Sequence, residues 1–338
     1  MRILFFTSST NDYMEDCLLH GLRNIFGSEL VDFPKKHHMY YHSNETSTLV
    51  HGLGFTLTGL LKEIEINRTA IKEKIKQNYF DLIIFPCIYR QYDTFLKYNK
   101  YLDPYKTVFV DGSDSSRHIS ELTFYLKKTL VSKTPKIFPE SIYFKRELTE
   151  RTSLRFPKKF YCNFLNKFFP VYRENIKSIS FGIPEEKILN TIPIKNKKWP
   201  KHIVDLEILD YISNAKDSYV FDNEDEYYKD LQSSKYGITT KRSGWDCMRH
   251  YEIAANGSLI CFRDLDKKPS SCAPYGLIDG WNCISYSSFN HLVCQLNNLS
   301  EKKYHAIVNN SLKWVKSKTT LSVASHFIDD IKNYQKAL

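Results

Sequence analysis

The sequence predicts an α/β protein built from two units, each with a parallel sheet, that face each other across a cleft. The chain has 338 residues, and at about 150 residues per domain this length suggests two domains. Short buried apolar runs alternate with segments of helical period, the pattern of parallel strands covered by helices. A Pro- and Lys-rich stretch without apolar periodicity divides the chain. We therefore predict a first domain at 1–178, a connection at 179–201 and a second domain at 202–338.

The first domain contains four short apolar runs that are typical of buried strands. They occupy residues 2–6, 30–33, 81–86 and 106–110. Between the first two runs, apolar residues recur at helical spacing after Asp12, and Gly27 provides a stop for this helix. Residues 60–78 alternate charged and apolar positions at the helical period, which also favours a helix.

The second domain repeats this alternation of strands and helices. Helices are expected to begin in the acidic segment 222–230 and near Asp246, and an amphipathic pattern from 304 to 334 indicates further helical structure. Strands are predicted at 235–239, 258–262 and 284–286. In two such layers the carboxyl ends of the strands border a cleft, the usual place for a ligand.

The composition indicates a folded protein with a basic surface. Hydrophobic residues make up 42% of the chain and aromatic residues 14%, which excludes a disordered or collagen-like protein. The formal net charge is +10 at pH 7, with a pI of about 9.0. Such a charge favours anionic partners: nucleotides, phosphates, nucleic acid or an anionic membrane surface. A Lys-rich solvated surface without a partner is the alternative interpretation.

The eight cysteines show neither a C-x-x-C pair nor zinc-ligand spacing. Several lie in apolar stretches, such as Cys87 and Cys261, so we expect buried free thiols in a reducing cytosol. The first apolar run is too short for a signal peptide, and no stretch of about 18 apolar residues occurs. The predicted location is therefore cytoplasmic, and the charge also allows peripheral contact with the inner face of an anionic membrane.

The densest group of chemistry-bearing residues lies at 241–257. A strand delivers the cations Lys241 and Arg242 to a loop in which Gly244 lets the backbone approach a ligand closely. Asp246 is placed to cap the following helix. The free N–H groups of that helix and the two cations would bind an anion such as a diphosphate.

Two further side chains share one face of this predicted helix with Asp246, namely Arg249 and Glu252. A carboxylate at that place can accept both hydroxyls of a ribose, and Arg249 can hold the carboxylate or reach a phosphate. Small residues up to Gly257 allow the helix to pack closely on the next strand. A solvated helix face with an Asp–Arg–Glu ion network is the alternative interpretation.

The run from Glu252 to Ile260 resembles the E-x-x-A-x-G-x-P signature of GT-B glycosyltransferases, with one extra residue before the glycine and without the proline. The wider pattern from Lys241 to Gly257 is similar to that of bacterial family-1-like glycosyltransferases of surface-polysaccharide clusters. Those relatives share further motifs, which occur here at 11–23, 143–148 and 181–184.

The resemblance implies a GT-B-like architecture, two Rossmann-like domains facing a cleft. It also implies transfer of a sugar from a nucleotide-activated donor to a glycan or lipid-linked glycan. Glu252 would bind the ribose of the donor, and Lys241 and Arg242 would neutralise its diphosphate. The other candidates for donor binding are Gly244, Asp246, Arg249 and Gly257. Because the nucleotide sugar is a substrate, no cofactor is expected. No metal ion is expected either, because the sequence has no D-x-D motif of the metal-dependent GT-A type in the right context at a strand end.

The first domain would bind the acceptor and supply any catalytic base. The candidates are Asp12 after the first strand, His51 in a stretch with two glycines, and Asp111 at the end of the fourth apolar run. An inverting transferase needs such a group to take the proton of the acceptor hydroxyl, whereas a retaining enzyme can depend on stabilising the leaving diphosphate. Each candidate has a structural alternative, since Asp12 can cap a helix, His51 can pack on aromatic rings and Asp111 can form a turn.

Three other functions stay open. The same fold could glycosylate DNA bases, which would make nucleic acid the partner and require base flipping in a duplex. A non-enzymatic protein that binds nucleic acid or another anionic ligand fits the charge, although the sequence contains no recognition helix, RNP-like strand or zinc module. A sugar-nucleotide isomerase would have a similar two-domain shape. Binding of one nucleoside diphosphate separates the enzymes from the binding protein.

Overall fold

A computed structural model describes residues 1–41, 55–119, 137–153, 175–218 and 220–337. The strands of the first sheet are β1 Ile3–Phe6, β2 Leu30–Phe33, β3 Leu82–Phe85, β4 Thr107–Asp111, β5 Ile142–Lys145 and β6 Ile176–Ser178. They are parallel, in the order β2-β1-β3-β4-β5-β6. The strands of the second sheet are β7 Tyr236–Thr240, β8 Leu259–Arg263 and β9 Ile284–Tyr286. They too are parallel, in the order β7-β8-β9.

The helices alternate with these strands. In the first half they are α1 Tyr13–Phe26, α2 Ile71–Lys76, α3 Ile88–Tyr98 and α4 Glu150–Ser153. Those that follow are α5 Leu206–Leu209, α6 Glu224–Ser233, α7 Met248–Ala255, α8 Phe289–Asn297, α9 Glu301–Lys316 and α10 Thr320–Ala337.

One of the hydrophobic clusters in the core is common to the two sheets. Side chains of the first sheet alternate between its faces, because successive residues of a strand point to opposite sides. On one face Phe85 packs with Phe6 and Phe109, at ring-centroid distances of 4.8 Å and 5.6 Å. On the other face Phe5 belongs to a cluster that continues to Phe262 in the second sheet.

Helix α10 comes after the second sheet in the chain but packs against α1 in the first half. The Nδ1 atom of His20 lies 2.7 Å from the Thr320 hydroxyl oxygen, and the rings of Phe144 and Phe327 are 4.4 Å apart. A Cβ atom at Gly21 would lie 2.1 Å from the carbonyl oxygen of Thr320. Residues 320–337 therefore contact the first half, while the domain boundaries given above stay a prediction.

Substituting Gly21 with alanine is expected to destabilise the protein by about 1–3 kcal/mol, the usual cost of overpacking. The added methyl group would collide with backbone, so α1 and α10 would have to separate. Urea denaturation measures the change, and Ile25→Ala on the exposed side of α1 is the matched control. An unchanged urea midpoint for Gly21→Ala would contradict this packing.

Most of the predicted elements are confirmed. The four apolar runs of the first domain correspond to β1–β4, and the three strands of the second domain correspond to β7–β9. Asp12 caps α1 through hydrogen bonds to its side chain, and Gly27, at φ 52°, ends that helix as predicted. Strands β5 and β6 were not predicted, since each is short and stands next to charged residues.

The helical prediction for 60–78 is confirmed only for α2. Leu61 pairs instead with Tyr40 in an isolated parallel bridge, and residues 62–65 are exposed. The charged positions therefore alternate along an extended segment that buries no apolar helical face.

The seven cysteines within the described residues form no disulfide. Five of them are buried, while Cys247 is partly exposed and Cys294 exposed, which agrees with the expected free thiols. Among the described helices, none combines the length and apolar character needed to cross a bilayer.

Candidate functional site

A cavity of about 540 Å³ opens between the two halves of the chain. On the first half it is lined by loops and helix starts that follow the strands of the first sheet, so the carboxyl ends of neighbouring parallel strands meet there. On the second half it is lined by the loop after β7 and the beginning of α7. This agrees with the general rule that ligands of open α/β sheets bind at the carboxyl ends of the strands.

The structure brings most of the candidate donor-binding residues to this cavity. Those that line it are Arg242, Gly244, Asp246, Arg249 and Glu252. Lys241 does not: it is exposed, and its ammonium lies over the Trp245 ring, 5.3 Å from the centroid. Gly257 lies beyond the other end of α7 with φ 67°, where a Cβ atom would be 3.2 Å from Pro193. The cations on this wall are therefore Arg242 and Arg249.

Glu252 reaches the cavity from α7 and is 5% exposed. Its Oε1 accepts a hydrogen bond from the Thr56 hydroxyl at 2.6 Å, and its Oε2 accepts one from the Tyr227 hydroxyl at 2.7 Å. Burial raises the pKa of Glu252, and the two hydroxyls and Arg249 act in the opposite direction. Both carboxylate oxygens are thus held in fixed positions.

Arg249 lies one turn before Glu252 on the same face of α7, as the spacing predicted. Its Nη1 is 3.1 Å from Nδ1 of His202. Burial and the neighbouring guanidinium lower the pKa of His202 to about 3, so the imidazole is neutral near pH 7 and accepts the hydrogen bond. Arg249 therefore donates to a neutral ring and keeps its positive charge at the cavity wall.

Asp246 does not cap α7, contrary to the prediction. The residue that precedes the helix is Cys247, whose side chain makes no capping hydrogen bond. Asp246 instead accepts from the Phe181 N–H and from the Tyr251 hydroxyl, each at 2.8 Å. Burial raises its pKa to about 6, and Arg146 and these hydrogen bonds oppose the shift. The carboxylate joins the loop after β7 to the segment after β6.

Gly244 is required by the close approach of the first half rather than by a ligand alone. The carboxylate oxygen Oε1 of Glu147 accepts hydrogen bonds from the N–H groups of Trp245 at 2.9 Å and Asp246 at 3.1 Å. A Cβ atom at Gly244 would lie 2.6 Å from the same oxygen. Any other residue would push the loop away from Glu147.

Arg146 is the buried cation at this junction, and sequence reasoning missed it. Its guanidinium bonds to the Asp114 carboxylate, to the carbonyl of Asp246 and, at 3.0 Å, to the carbonyl of Gly112. It also lies 4.7 Å from the centroid of the Phe181 ring. The available signal was three charged residues, 145–147, directly after an apolar run, which is typical of the carboxyl end of a strand.

Asp12 lines the first-half wall and is also a helix cap. Its Oδ1 accepts from two N–H groups of α1, which confirms the structural alternative. Its Oδ2 accepts from the Tyr89 hydroxyl at 3.2 Å and lies 3.4 Å from Nε of Arg90. The carboxylate is therefore in the cavity but already engaged on both oxygens.

Asp16 lies one turn further along α1 and also lines the cavity. Its Oδ2 is 3.0 Å from Nε2 of His38, and its Oδ1 is 3.7 Å from Nζ of Lys36. His38 is 9% exposed and is buried together with Lys36. The histidine is enclosed because it pairs with a carboxylate under the loop after β1.

Asp111 is not brought to the cavity. It is 1% exposed and pairs with Nζ of Lys145 at 2.8 Å, while accepting from the Tyr143 hydroxyl at 2.5 Å and the Ser113 N–H at 3.0 Å. Its carboxylate stabilises β4 against β5 and the turn that follows. The third predicted base, His51, lies outside the described residues.

No protein-family model matches the sequence, and no curated protein matches it. The fold is similar to that of Alr3699/HepE from Anabaena in complex with UDP, with a TM-score of 0.55 and 11% identity over 98% of this chain and 100% of that chain. It is also similar to a glycosyltransferase from Rickettsia africae, with a TM-score of 0.54 and 11% identity over 100% and 99% of the two chains.

A third similar structure is sucrose-phosphate synthase from Thermosynechococcus elongatus, with a TM-score of 0.50 and 9% identity over the full length of both chains. Each of these likenesses runs through both halves of the chain. The predicted fold class is therefore confirmed: the protein has two Rossmann-like units facing a cleft, the GT-B arrangement.

Proposed function

We propose that this protein is a glycosyltransferase that binds a nucleotide-activated sugar in the cavity and transfers the sugar to a glycan or lipid-linked glycan. The observation that carries the proposal is the position of Glu252 on the cavity wall beside Arg242 and Arg249. A buried carboxylate suits the two hydroxyls of a ribose, and two guanidinium groups suit a diphosphate.

Alr3699/HepE, which has a similar fold, forms a complex with UDP, and this supports a nucleotide as the ligand. The resemblance of 241–257 to the glycosyltransferase signature gives independent support, because five of the seven candidate donor-binding residues in this range line the cavity.

In the proposed reaction an acceptor hydroxyl attacks the anomeric carbon of the donor, and the bond from that carbon to the diphosphate breaks. Negative charge grows on the departing diphosphate. Arg242 and Arg249 would stabilise this charge in the partly enclosed cavity. Because these cations can neutralise the leaving group, we propose that the transfer proceeds without a metal ion.

The acceptor would approach from the first-half wall, where Asp12 and Asp16 lie. Of the three predicted bases, Asp12 is the one that the described residues place in the cavity. The net charge of +10 favours an anionic acceptor such as a lipid-diphosphate-linked glycan at the inner membrane face, and surface-polysaccharide synthesis is the proposed setting.

Calorimetric titration with UDP, GDP, CDP, ADP and CMP tests the donor site. We expect one diphosphate to bind the wild type and Glu252→Ala to weaken that binding at least tenfold, since a lost hydrogen bond to a charged group costs about 1.5–3 kcal/mol. Asp225→Ala, which removes an exposed carboxylate of α6, should bind as the wild type does.

Two results would contradict the proposal: no nucleotide binding by the wild type, or equal affinities for wild type and Glu252→Ala. Salt-sensitive binding of DNA in place of a free diphosphate would favour the DNA-related alternatives.

A further inference from the structure

We infer that Thr56 and Tyr227 are positioning residues that orient the carboxylate of Glu252, so that recognition of the donor ribose depends on both halves of the chain. The inference rests on the proposed function, in which Glu252 binds that ribose. Thr56 comes from the first half, whereas Tyr227 belongs to α6 and Glu252 to α7 in the second half.

The hydrogen bonds fix the carboxylate from the side away from the ligand. Glu252 lines the cavity, while Thr56 and Tyr227 do not and are each 1% exposed. Each oxygen accepts one hydroxyl, at 2.6 Å from Thr56 and 2.7 Å from Tyr227. An ionised carboxylate offers about four acceptor positions. Two therefore remain for the neighbouring 2′- and 3′-hydroxyls of a ribose.

The hydroxyl of Thr56 has a determined direction. The Tyr228 hydroxyl oxygen lies 2.7 Å from Oγ1 of Thr56. Threonine has a single hydroxyl proton, and here it is donated to Glu252, so Oγ1 of Thr56 can only accept from a neighbouring hydroxyl. Thr56 and Tyr227 both donate to the carboxylate, which holds Glu252 as an acceptor for the sugar.

The backbone of Thr56 is held in an unusual conformation that supports this role. Its φ is 79°, a region that β-branched residues rarely adopt. The Thr56 N–H donates to Oε1 of Glu224 at 2.7 Å, and Oε2 of Glu224 pairs with Nζ of Lys187 at 2.6 Å. Glu224, which belongs to the acidic segment where the sequence predicts a helix start, therefore anchors the first-half segment that contains Thr56.

The consequence is a preference for ribose over deoxyribose. A carboxylate fixed at both oxygens presents its remaining acceptor positions at a set spacing, so two adjacent hydroxyls bind well and a single one binds less well. A carboxylate free to rotate would adapt to either sugar. The ratio of the affinities for ribonucleotide and deoxyribonucleotide therefore measures how well the Glu252 carboxylate is oriented, and not only whether the protein is folded.

The test titrates UDP and 2′-deoxy-UDP into each variant, or the corresponding pair if another of the five nucleotides binds. We expect wild type to prefer the ribonucleotide at least tenfold, as for one hydrogen bond to a charged group. Thr56→Val and Tyr227→Phe should reduce this preference to about threefold or less, mainly by weakening the ribonucleotide. Thr56→Ser should restore the preference, and Tyr304→Phe, which removes a buried hydroxyl bonded to the Lys235 carbonyl, should leave it unchanged.

An equal loss of affinity for both nucleotides in Thr56→Val and Tyr227→Phe would overturn the inference and assign these residues a structural role. So would unchanged selectivity, or a wild type that does not discriminate. In each of these cases the proposed function survives if Glu252→Ala still loses binding. Failure of every nucleotide to bind the wild type overturns the proposed function itself.

Discussion

Replacing Arg146 with methionine is expected to lower the free energy of unfolding by about 3–5 kcal/mol, the usual loss when one partner of a buried ion pair is removed. The guanidinium is 2% exposed and is shared between Asp114 and Glu147. Methionine would leave the buried carboxylates of Glu147 and Asp246 without a cation. The loop after β7 would lose its hydrogen bond to this guanidinium, one of its attachments to the first half, so nucleotide affinity should fall as well. Urea denaturation and calorimetry measure the two effects.

The loss is expected to be larger at pH 8 than at pH 5. In the wild type burial raises the pKa of Asp246 from 3.8 to about 6, against the effect of Arg146. A carboxyl with a raised pKa takes up protons on folding, so its contribution to stability falls as pH rises between these values. Without Arg146 the pKa rises further, and the unpaired charge appears only at higher pH. Arg2→Met, which breaks an exposed ion pair, should cost little at either pH; a loss that does not vary with pH would argue against the assigned role.

The second large effect is expected for Asp111→Asn, at about 3–5 kcal/mol of unfolding free energy near pH 7. The change leaves the ammonium of Lys145, which is fully buried, without its counter-charge. Burial alone would raise the pKa of Asp111, but Lys145 and the hydrogen bonds from Ser113 and Tyr143 hold it below 3.8. The ion pair therefore contributes above about pH 4 and is lost at lower pH. Urea denaturation at pH 7 and pH 3 should show the two proteins converging in acid.

A double variant gives the control for this prediction. Asp111→Asn combined with Lys145→Met removes both charges, so it should recover much of the lost stability. Nucleotide affinity of folded Asp111→Asn should equal that of the wild type. If Asp111→Asn bound the nucleotide as the wild type does and also had an unchanged free energy of unfolding, the Asp111–Lys145 ion pair would not be what holds β4 to β5.

The fold was predictable to the extent that strands carried apolar runs. The apolar runs at 2–6 and 81–86 are long enough to indicate buried strands. Asp12 and Gly27 mark the two ends of α1 by capping chemistry alone. Strand β6 could not be found in this way, because its residues are partly exposed at the sheet edge. The packing of α10 on α1 depends on contacts far apart in sequence, which local patterns do not contain.

The site was predictable where helical spacing decided it. Arg249 and Glu252 share a face of α7 because they are three residues apart, and both reach the cavity. Lys241 precedes Arg242 in the chain, yet its ammonium lies over the Trp245 ring and it does not line the cavity. Arg146 and Thr56 act through partners about a hundred or more residues away, so only the assembled structure shows their roles.

The contact between α1 and α10 has a consequence for how the chain acquires its structure during synthesis. The face of α1 around Gly21 is covered by a helix that the ribosome makes after the whole second sheet. Until then the first sheet exposes apolar surface that belongs to the core shared by both halves. Separate domains usually fold one after another during synthesis. The amino-terminal half of this chain, in contrast, cannot complete its folding ahead of the rest. The two halves are expected to gain their final stability together, in one late step.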